Sequence, residues 1–380
     1  MKRTLLVTID FPPMVGGVAN YWSNLCRELP HDDLVVLAEE YDGSIDFDIH
    51  QDYLIYRKNL ISKREWLWPK WLPLFFSTIK LIKQEKIKKI IVAHILPTGT
   101  VALIIKKLFH IPYIVSVHGL DISLSQVSEK KRRLTSKIMN GAESIMANSE
   151  YTKGLLLKYN LCSEEKAEVV YPCSNIKDQK VPQKTKENLV EKNKLIDKKI
   201  ILTVGRLIER KGHDKLIQAL PLVLEKVPNA FYVSVGDGPQ KKYLQEQVDI
   251  LKLNEKTNFY YDVLDYELPA FYDLSDVFIM PCRELNNGDI EGFGIVFLEA
   301  GMYEKPVIGG RSGGAVEAVE QGVNGLLVDP NSINEIAQAL ISLLTNKDKA
   351  QSLGEKGRKR VFDKFNWREQ SKKIIKIINK

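Results

Sequence analysis

Ile200-Ile-Leu-Thr-Val-Gly-Arg-Leu-Ile-Glu-Arg-Lys-Gly212 decides the fold. Ile200 to Val204 has the composition of a buried strand. A glycine-flanked loop rich in cations follows it, and a helical pattern then runs from Asp214 to Lys226. Phe231 to Val235 repeats the strand signal, and alternation of this kind builds a parallel sheet covered by helices on both faces.

The pattern continues outward in both directions. Toward the carboxyl end, Val277 to Met280, Pro306 to Ile308 and Gly325 to Val328 read as strands, with a further helix over Gln240 to Leu251. Toward the amino end the pairs are Thr4 to Ile9 with Ala19 to Leu29, and Ile90 to Ala93 with Gly99 to Phe109. Ile114 to Val117 follows, with a helix ending near Asn140. Lys177 to Lys199 is Lys-rich and free of aromatics, and reads as a linker. The expectation is an α/β protein of two Rossmann-like, doubly wound domains: residues 1–175, a linker over 176–198, and residues 199–363. Trp367 to Lys380 is a short amphipathic helix, with Ile374, Ile375, Ile377 and Ile378 among lysines, that packs on something already built.

Bulk properties agree with this division. A chain of 380 residues, 44% apolar and 27% charged, exceeds what one core covers. Met1-Lys2-Arg3 carries the charge of an export signal, but Leu5 to Ile9 is too short an apolar run and Asp10 ends it. The apolar stretches near Leu67 to Ile82 and Ile90 to Ile105 are broken by prolines, lysines and His94, short of a span of roughly 20 residues. A cytoplasmic protein is expected. Cys26, Cys162, Cys173 and Cys282 lie far apart and read as free thiols. The net charge of +7 suits any anionic partner and does not choose among nucleic acid, membrane and phosphate.

In open α/β sheets ligands sit beyond the carboxyl ends of the strands, and function is sought in those loops. Asp10-Phe-Pro-Pro-Met-Val-Gly-Gly-Val18 places Gly16 and Gly17 before a helix whose free amides attract anions. Alone, such a glycine pair is a turn more often than a site. In the quoted loop after Val204, Arg206 offers a planar fork and Lys211 a compact charge, a pair able to neutralise a diphosphate. A solvated basic loop is the bland alternative.

Asp289-Ile-Glu-Gly-Phe-Gly-Ile-Val-Phe-Leu-Glu-Ala300 is the most specific signal. On a single helix Glu291 and Glu299 would stand about 80° apart at roughly 100° per residue. Gly292 and Gly294 instead suggest a loop opening a helix near Ile295, with Glu291 ahead of it and Glu299 inside it. At about 1.5 Å of rise per residue, Glu299 lies roughly 6 to 8 Å from the first free amides, comparable to a diphosphate. One carboxylate could then grip a sugar and the other a ribose. Two capping glutamates are the alternative in the absence of the other loops.

These motifs resemble the retaining glycosyltransferases of family 4, of the GT-B fold, whose hallmark is a Glu, seven residues and a second Glu. The likeness takes in the Gly16-Gly17 loop, Val117-His-Gly-Leu-Asp121, Ala147-Asn-Ser149, Gly205-Arg206 with Lys211-Gly212, Gly236-Asp-Gly-Pro239, Glu291 to Glu299, and Ser312-Gly-Gly314. The stretch from Met280-Pro-Cys-Arg283 to Glu299 looks most like the phosphatidylinositol-mannoside type of mannosyltransferase, which uses GDP-mannose. The resemblance implies two domains facing across a cleft, with acceptor binding in the first, nucleotide-sugar binding in the second, and a terminal helix over 364–380 returning to the first.

It also implies site residues. Arg206 and Lys211 bind the diphosphate, Gly16 and Gly17 approach it, and Gly205 and Gly236 lie in donor-binding loops. Glu299 binds ribose, while Glu291 with Gly292, Phe293, Gly294, Ile295 and Val296 holds the sugar. His118 contacts the donor sugar near the reacting centre, so the catalytic set is His118, Arg206, Lys211 and Glu291. His94 reads as structural. Family members commonly carry a glycine in place of Tyr261, near their base pocket, which leaves GDP or UDP open.

The expected chemistry is same-face transfer of a hexose from a GDP- or UDP-sugar to a lipid-linked or oligosaccharide acceptor. No metal or other cofactor is expected. Asp46-Phe-Asp48 reads as a surface loop and not as a metal site. Trp66, Trp68, Trp71, Phe75 and Phe76 lie among eight basic and two acidic residues between Ile61 and Lys89, and Lys130-Lys-Arg-Arg133 adds a second cluster. Both suit an anionic membrane surface, whereas no nucleic-acid-binding module accompanies the charge. A UDP-sugar-dependent transferase of the same family, a sugar-nucleotide epimerase and a non-catalytic carbohydrate-binding protein are the rival readings.

Overall fold

The computed structural model describes residues 1–14, 16–174, 176, 180–193, 195–264 and 266–380. Val15 and part of the expected linker lie outside that set. The chain divides into two compact units, Met1–Pro172 with Asn366–Lys380, and Cys173–Phe365.

Among the described residues the first unit contains β1 (Thr4–Thr8), β2 (Leu34–Glu39), β3 (Leu54–Lys58), β4 (Lys89–Val92), β5 (Tyr113–Val117), β6 (Ser144–Ala147) and β7 (Ala167–Val169). All pair in parallel, in the order β3-β2-β1-β4-β5-β6-β7. Successive side chains on a strand point to opposite faces, so β1 divides between two cores. Leu5 and Val7 join Val35, Leu37 and Ile90 on one face, and Leu6 joins Val36, Ile91 and Trp22 on the other.

The helix Trp367–Asn379 completes the second of these cores with Ile374, Ile377 and Ile378, all fully buried. Burying an isoleucine contributes roughly 1.5 to 3 kcal/mol. The first unit therefore depends on residues from the far end of the sequence.

The second unit holds β8 (Lys199–Val204), β9 (Ala230–Val235), β10 (Thr257–Tyr260), β11 (Val277–Met280), β12 (Val307–Gly310) and β13 (Gly325–Val328). These too are parallel, in the order β10-β9-β8-β11-β12-β13. Each sheet reverses its strand order once, between β1 and β4 and between β8 and β11, and loops diverge at such points.

Several details differ from the sequence reading. The segment read as a linker carries a helix, Gln183–Lys192, that packs on the Leu268–Leu274 helix. The single helix expected after β5 is two, Leu120–Ser125 and Glu129–Gly141, because Ser128 restarts the helix by accepting from the Lys131 N–H. Asp46-Phe-Asp48 is no loop: it closes the Ser44–Asp48 helix, and Asp48 accepts Arg57 Nε at 3.0 Å and Nη2 at 2.8 Å. That pairing gives Asp48 a structural partner.

Candidate donor site and family

In the second unit, Arg206 and Lys211 leave β8, while Glu291 lies on the long loop after β11. Gly212, at φ 76°, lets the two loops touch: a Cβ there would stand 2.2 Å from the Pro281 carbonyl oxygen. Across this point Lys211 Nζ lies 2.5 Å from Glu291 Oε2, both side chains nearly buried. Arg210 adds a second cation, 3.7 Å from the same oxygen and 3.6 Å from Asp289. Burial alone would raise the Glu291 carboxyl, but Lys211, Arg210 and the Phe293 N–H outweigh it and hold it below the ordinary value.

Arg206 differs from its neighbours. It is exposed, and among the described residues no carboxylate engages its guanidinium. Of the two cations expected at the diphosphate, one is held by a glutamate and the other points free.

The helix Ile295–Met302 opens behind Gly294, whose φ of 92° suits glycine and which has no side chain to cap the first amides. Among the described residues, side chains cap five helices, through Ser128, Ser149, Ser332, Asn346 and Asn366, while others, such as Gly17–Glu28 and His213–Lys226, open uncapped as this one does. Ile295 and Val296 are half-buried at this opening, and the Phe293 ring turns inward against Phe365, leaving its backbone to serve the site. Gly292 lies between Glu291 and Phe293, and the Gly314 N–H donates to the Glu291 carbonyl at 2.9 Å, fixing the loop from the far side.

Glu299 is buried inside that helix and accepts Tyr272 Oη at 2.7 Å. Burial and the facing carboxylate push the Tyr272 phenol well above its ordinary range, so it remains a donor. Tyr272 was absent from the sequence-derived set, since nothing in its helix marks it. Gly205 and Gly236 press together at the ends of β8 and β9, where a Cβ on Gly236 would stand 2.2 Å from the Gly205 carbonyl oxygen.

Gly16, Gly17 and His118 belong to the first unit. A Cβ on Gly16 or Gly17 would meet nothing within 4 Å, so internal packing does not demand glycine there. His118 follows β5; its backbone N–H donates to Asp121 Oδ1 at 3.1 Å and its ring meets Tyr21 edge-on. Burial, then the proximity of His94, depress the imidazole to about 3, so it is neutral near pH 7. His94 follows β4 and stands 3.5 Å from Asp10 after β1. Asp10 and His94 thus gather at the first sheet's reversal, and their shared position at strand ends was the available signal.

Of the five aromatics in the basic segment, Trp66, Trp68 and Phe76 are exposed, whereas Trp71 and Phe75 pack against the core. Among the described residues no helix is long and apolar enough to cross a membrane.

Two doubly wound units, the second carrying paired acids and cations at its reversal point, define a glycosyltransferase of the GT-B fold. The family model "Glycosyl transferases group 1" matches residues 185–360 and "Glycosyltransferase Family 4" matches residues 15–177. The chain is 30% identical to the GDP-mannose-dependent alpha-(1-6)-phosphatidylinositol monomannoside mannosyltransferase of Mycolicibacterium smegmatis, over 99% of this chain and 98% of that protein. The Mycobacterium tuberculosis protein of the same name is also 30% identical, over 100% and 98%. Among solved structures, Anabaena Alr3699/HepE in complex with UDP superposes with a TM-score of 0.84 over 100% of each chain at 20% identity. The chain therefore belongs to the family 4, group 1 glycosyltransferases.

Proposed function

We propose that this glycosyltransferase moves mannose from GDP-mannose to a lipid-linked or oligosaccharide acceptor, with retention of configuration and with its second unit holding the donor. One observation carries the reading: cations from the β8 loop meet Glu291 directly ahead of an uncapped helix start. A diphosphate at the Gly294 amides would lie within the field of the Arg206 guanidinium and the Lys211 ammonium. Glu299 would accept from ribose hydroxyls and Glu291 from the sugar. The names of the mycobacterial relatives favour mannose and a phosphatidylinositol-based acceptor.

In this reading the bond from the anomeric carbon to phosphate breaks as the acceptor oxygen bonds on the same face, and the departing phosphate takes the acceptor's proton. Charge grows on the diphosphate, where fixed cations lower the barrier without reorganising. No metal takes part.

A UDP-hexose donor is the second reading, and Tyr261 is the observation behind it. Its ring stacks on Phe259 and lies 3.3 Å beneath Lys241 Nζ, filling a place where family members commonly have glycine.

A panel of GDP- and UDP-sugars tests both. GDP-mannose should raise the melting temperature and release GDP faster when acceptor is added. Preferential stabilisation by UDP-sugars would move the donor to the second reading. Sugar interconversion without nucleotide release would indicate an epimerase instead.

A further inference from the structure

Arg283 follows β11 and ties its loop to the one that leaves β8. Its Nη1 donates to Asp214 Oδ1 at 2.8 Å and its Nη2 to Asp214 Oδ2 at 3.0 Å, a two-point fork in which both residues are buried. Nη2 also lies 3.5 Å from Glu209 Oε1, and the Arg283 N–H donates to the Arg210 carbonyl at 2.8 Å. Glu209, Arg210 and Asp214 flank Lys211 on both sides. The clamp therefore fixes the stem from which Lys211 reaches Glu291.

Stability alone is a weak account of this arrangement, because desolvation offsets much of what a buried ion pair gains. Direction is what the fork adds: a bidentate guanidinium holds its partner's orientation, which a lysine's single point charge does not. The sequence marks Arg283 only as part of Met280-Pro-Cys-Arg283, with no role attached to it.

We propose that Arg283 is a positioning residue for sugar transfer: through Asp214 and the Arg210 carbonyl it sets the reach of Lys211 toward the leaving diphosphate. The proposal rests on the reading in which Lys211 engages that diphosphate.

A double-mutant cycle on the full-length protein tests it, with GDP-mannose as donor and GDP release as the readout, below the melting temperature of every variant. Arg283→Lys keeps the charge and loses the fork. A misplacement of about 1 Å is enough to cost rate heavily, so kcat should fall roughly 10-fold or more while donor KM shifts by less than about 3-fold. In a Lys211→Ala background the same substitution should change kcat by less than about 2-fold, because contacts that act through one another are not additive.

Normal turnover of Lys211→Ala alone would remove the donor reading itself. If Lys211→Ala is slow but Arg283→Lys has no effect, or its full effect in both backgrounds, the positioning role is overturned. Asp214→Asn breaks the clamp from the other side and carries the same comparison if Arg283→Lys does not fold. Failure of both variants to fold would assign the pair to stability alone and overturn the proposal as well.

Discussion

Lys211 Nζ lies 2.5 Å from Glu291 Oε2, so the lysine proposed for the diphosphate and the glutamate proposed for the sugar form one nearly buried ion pair. Among the described residues, removing Lys211 leaves the buried Glu291 only the Arg210 cation, at 3.7 Å, so the loss approaches the roughly 3 to 5 kcal/mol of a broken buried pair. Lys211→Ala should therefore destabilise the protein on that scale as well as slow it. The double variant Lys211→Met with Glu291→Gln should recover most of the stability and none of the turnover. Denaturant midpoints measured beside initial rates separate the two effects, and a Lys211→Ala protein as stable as the parent would contradict the pair.

Arg206 is exposed, so stability and catalysis should separate cleanly there. Arg206→Ala should lower kcat by about 10² to 10³, the usual cost of one lost charge-stabilising donor, with the melting temperature unchanged. Parent turnover should also survive EDTA, since the proposed chemistry needs no metal. Near-normal rates for Arg206→Ala, or loss of activity on chelation, would each count against the mechanism.

Tyr272→Phe should act on binding. It removes the donor to Glu299 and leaves that buried carboxylate short of one hydrogen bond, a penalty of roughly 1 to 3 kcal/mol in stability. If Glu299 binds ribose, donor KM rises more than kcat falls, because ribose is held alike in ground and transition states. Steady-state kinetics with varied donor decide this.

His213 supplies a pH test. It is buried between Lys211 and Asp214, its Nδ1 lies 2.9 Å from Tyr232 Oη, and burial followed by Lys211 depresses it from 6.5 to about 4. The unfolded chain takes up the proton first as pH falls, so this group's contribution is full above pH 6.5 and declines toward pH 4, by at most about 1.4 kcal/mol per unit. Urea titrations should show His213→Gln less stable than the parent at pH 7.5, with the gap narrowing over that window. A constant gap would mean that His213 is not buried in its neutral form.

For the basic segment, the expected result is sedimentation with anionic vesicles at low salt, weakened by replacing the exposed Trp66 and Trp68 with serine. Trp71→Ser should instead unsettle the fold, since that ring packs on the core.

The sequence was most legible where one residue type suffices for the purpose. Central strands such as Ile200 to Val204 stand out as apolar runs because both faces are buried, yet β2 and β6, no less buried, are not among the strands read from the sequence. β7 is only Ala-Glu-Val, and β3 is largely uncovered, so neither has a periodic signal. Glycines and cations mark the loops, and from them the helix start behind Gly294 could be placed. Partners could not: Lys211 and Glu291 are 80 positions apart, Arg283 and Asp214 are 69, and only the sheet order that sets β8 beside β11 brings them together.

The helix that carries Ile374, Ile377 and Ile378 also sets a timetable. As the chain emerges during translation, Cys173 to Phe365 is available as one uninterrupted segment, whereas the earlier-made unit lacks part of its core until Asn366 to Lys380 emerge. The half of the molecule that is made first is therefore the half whose core is completed last.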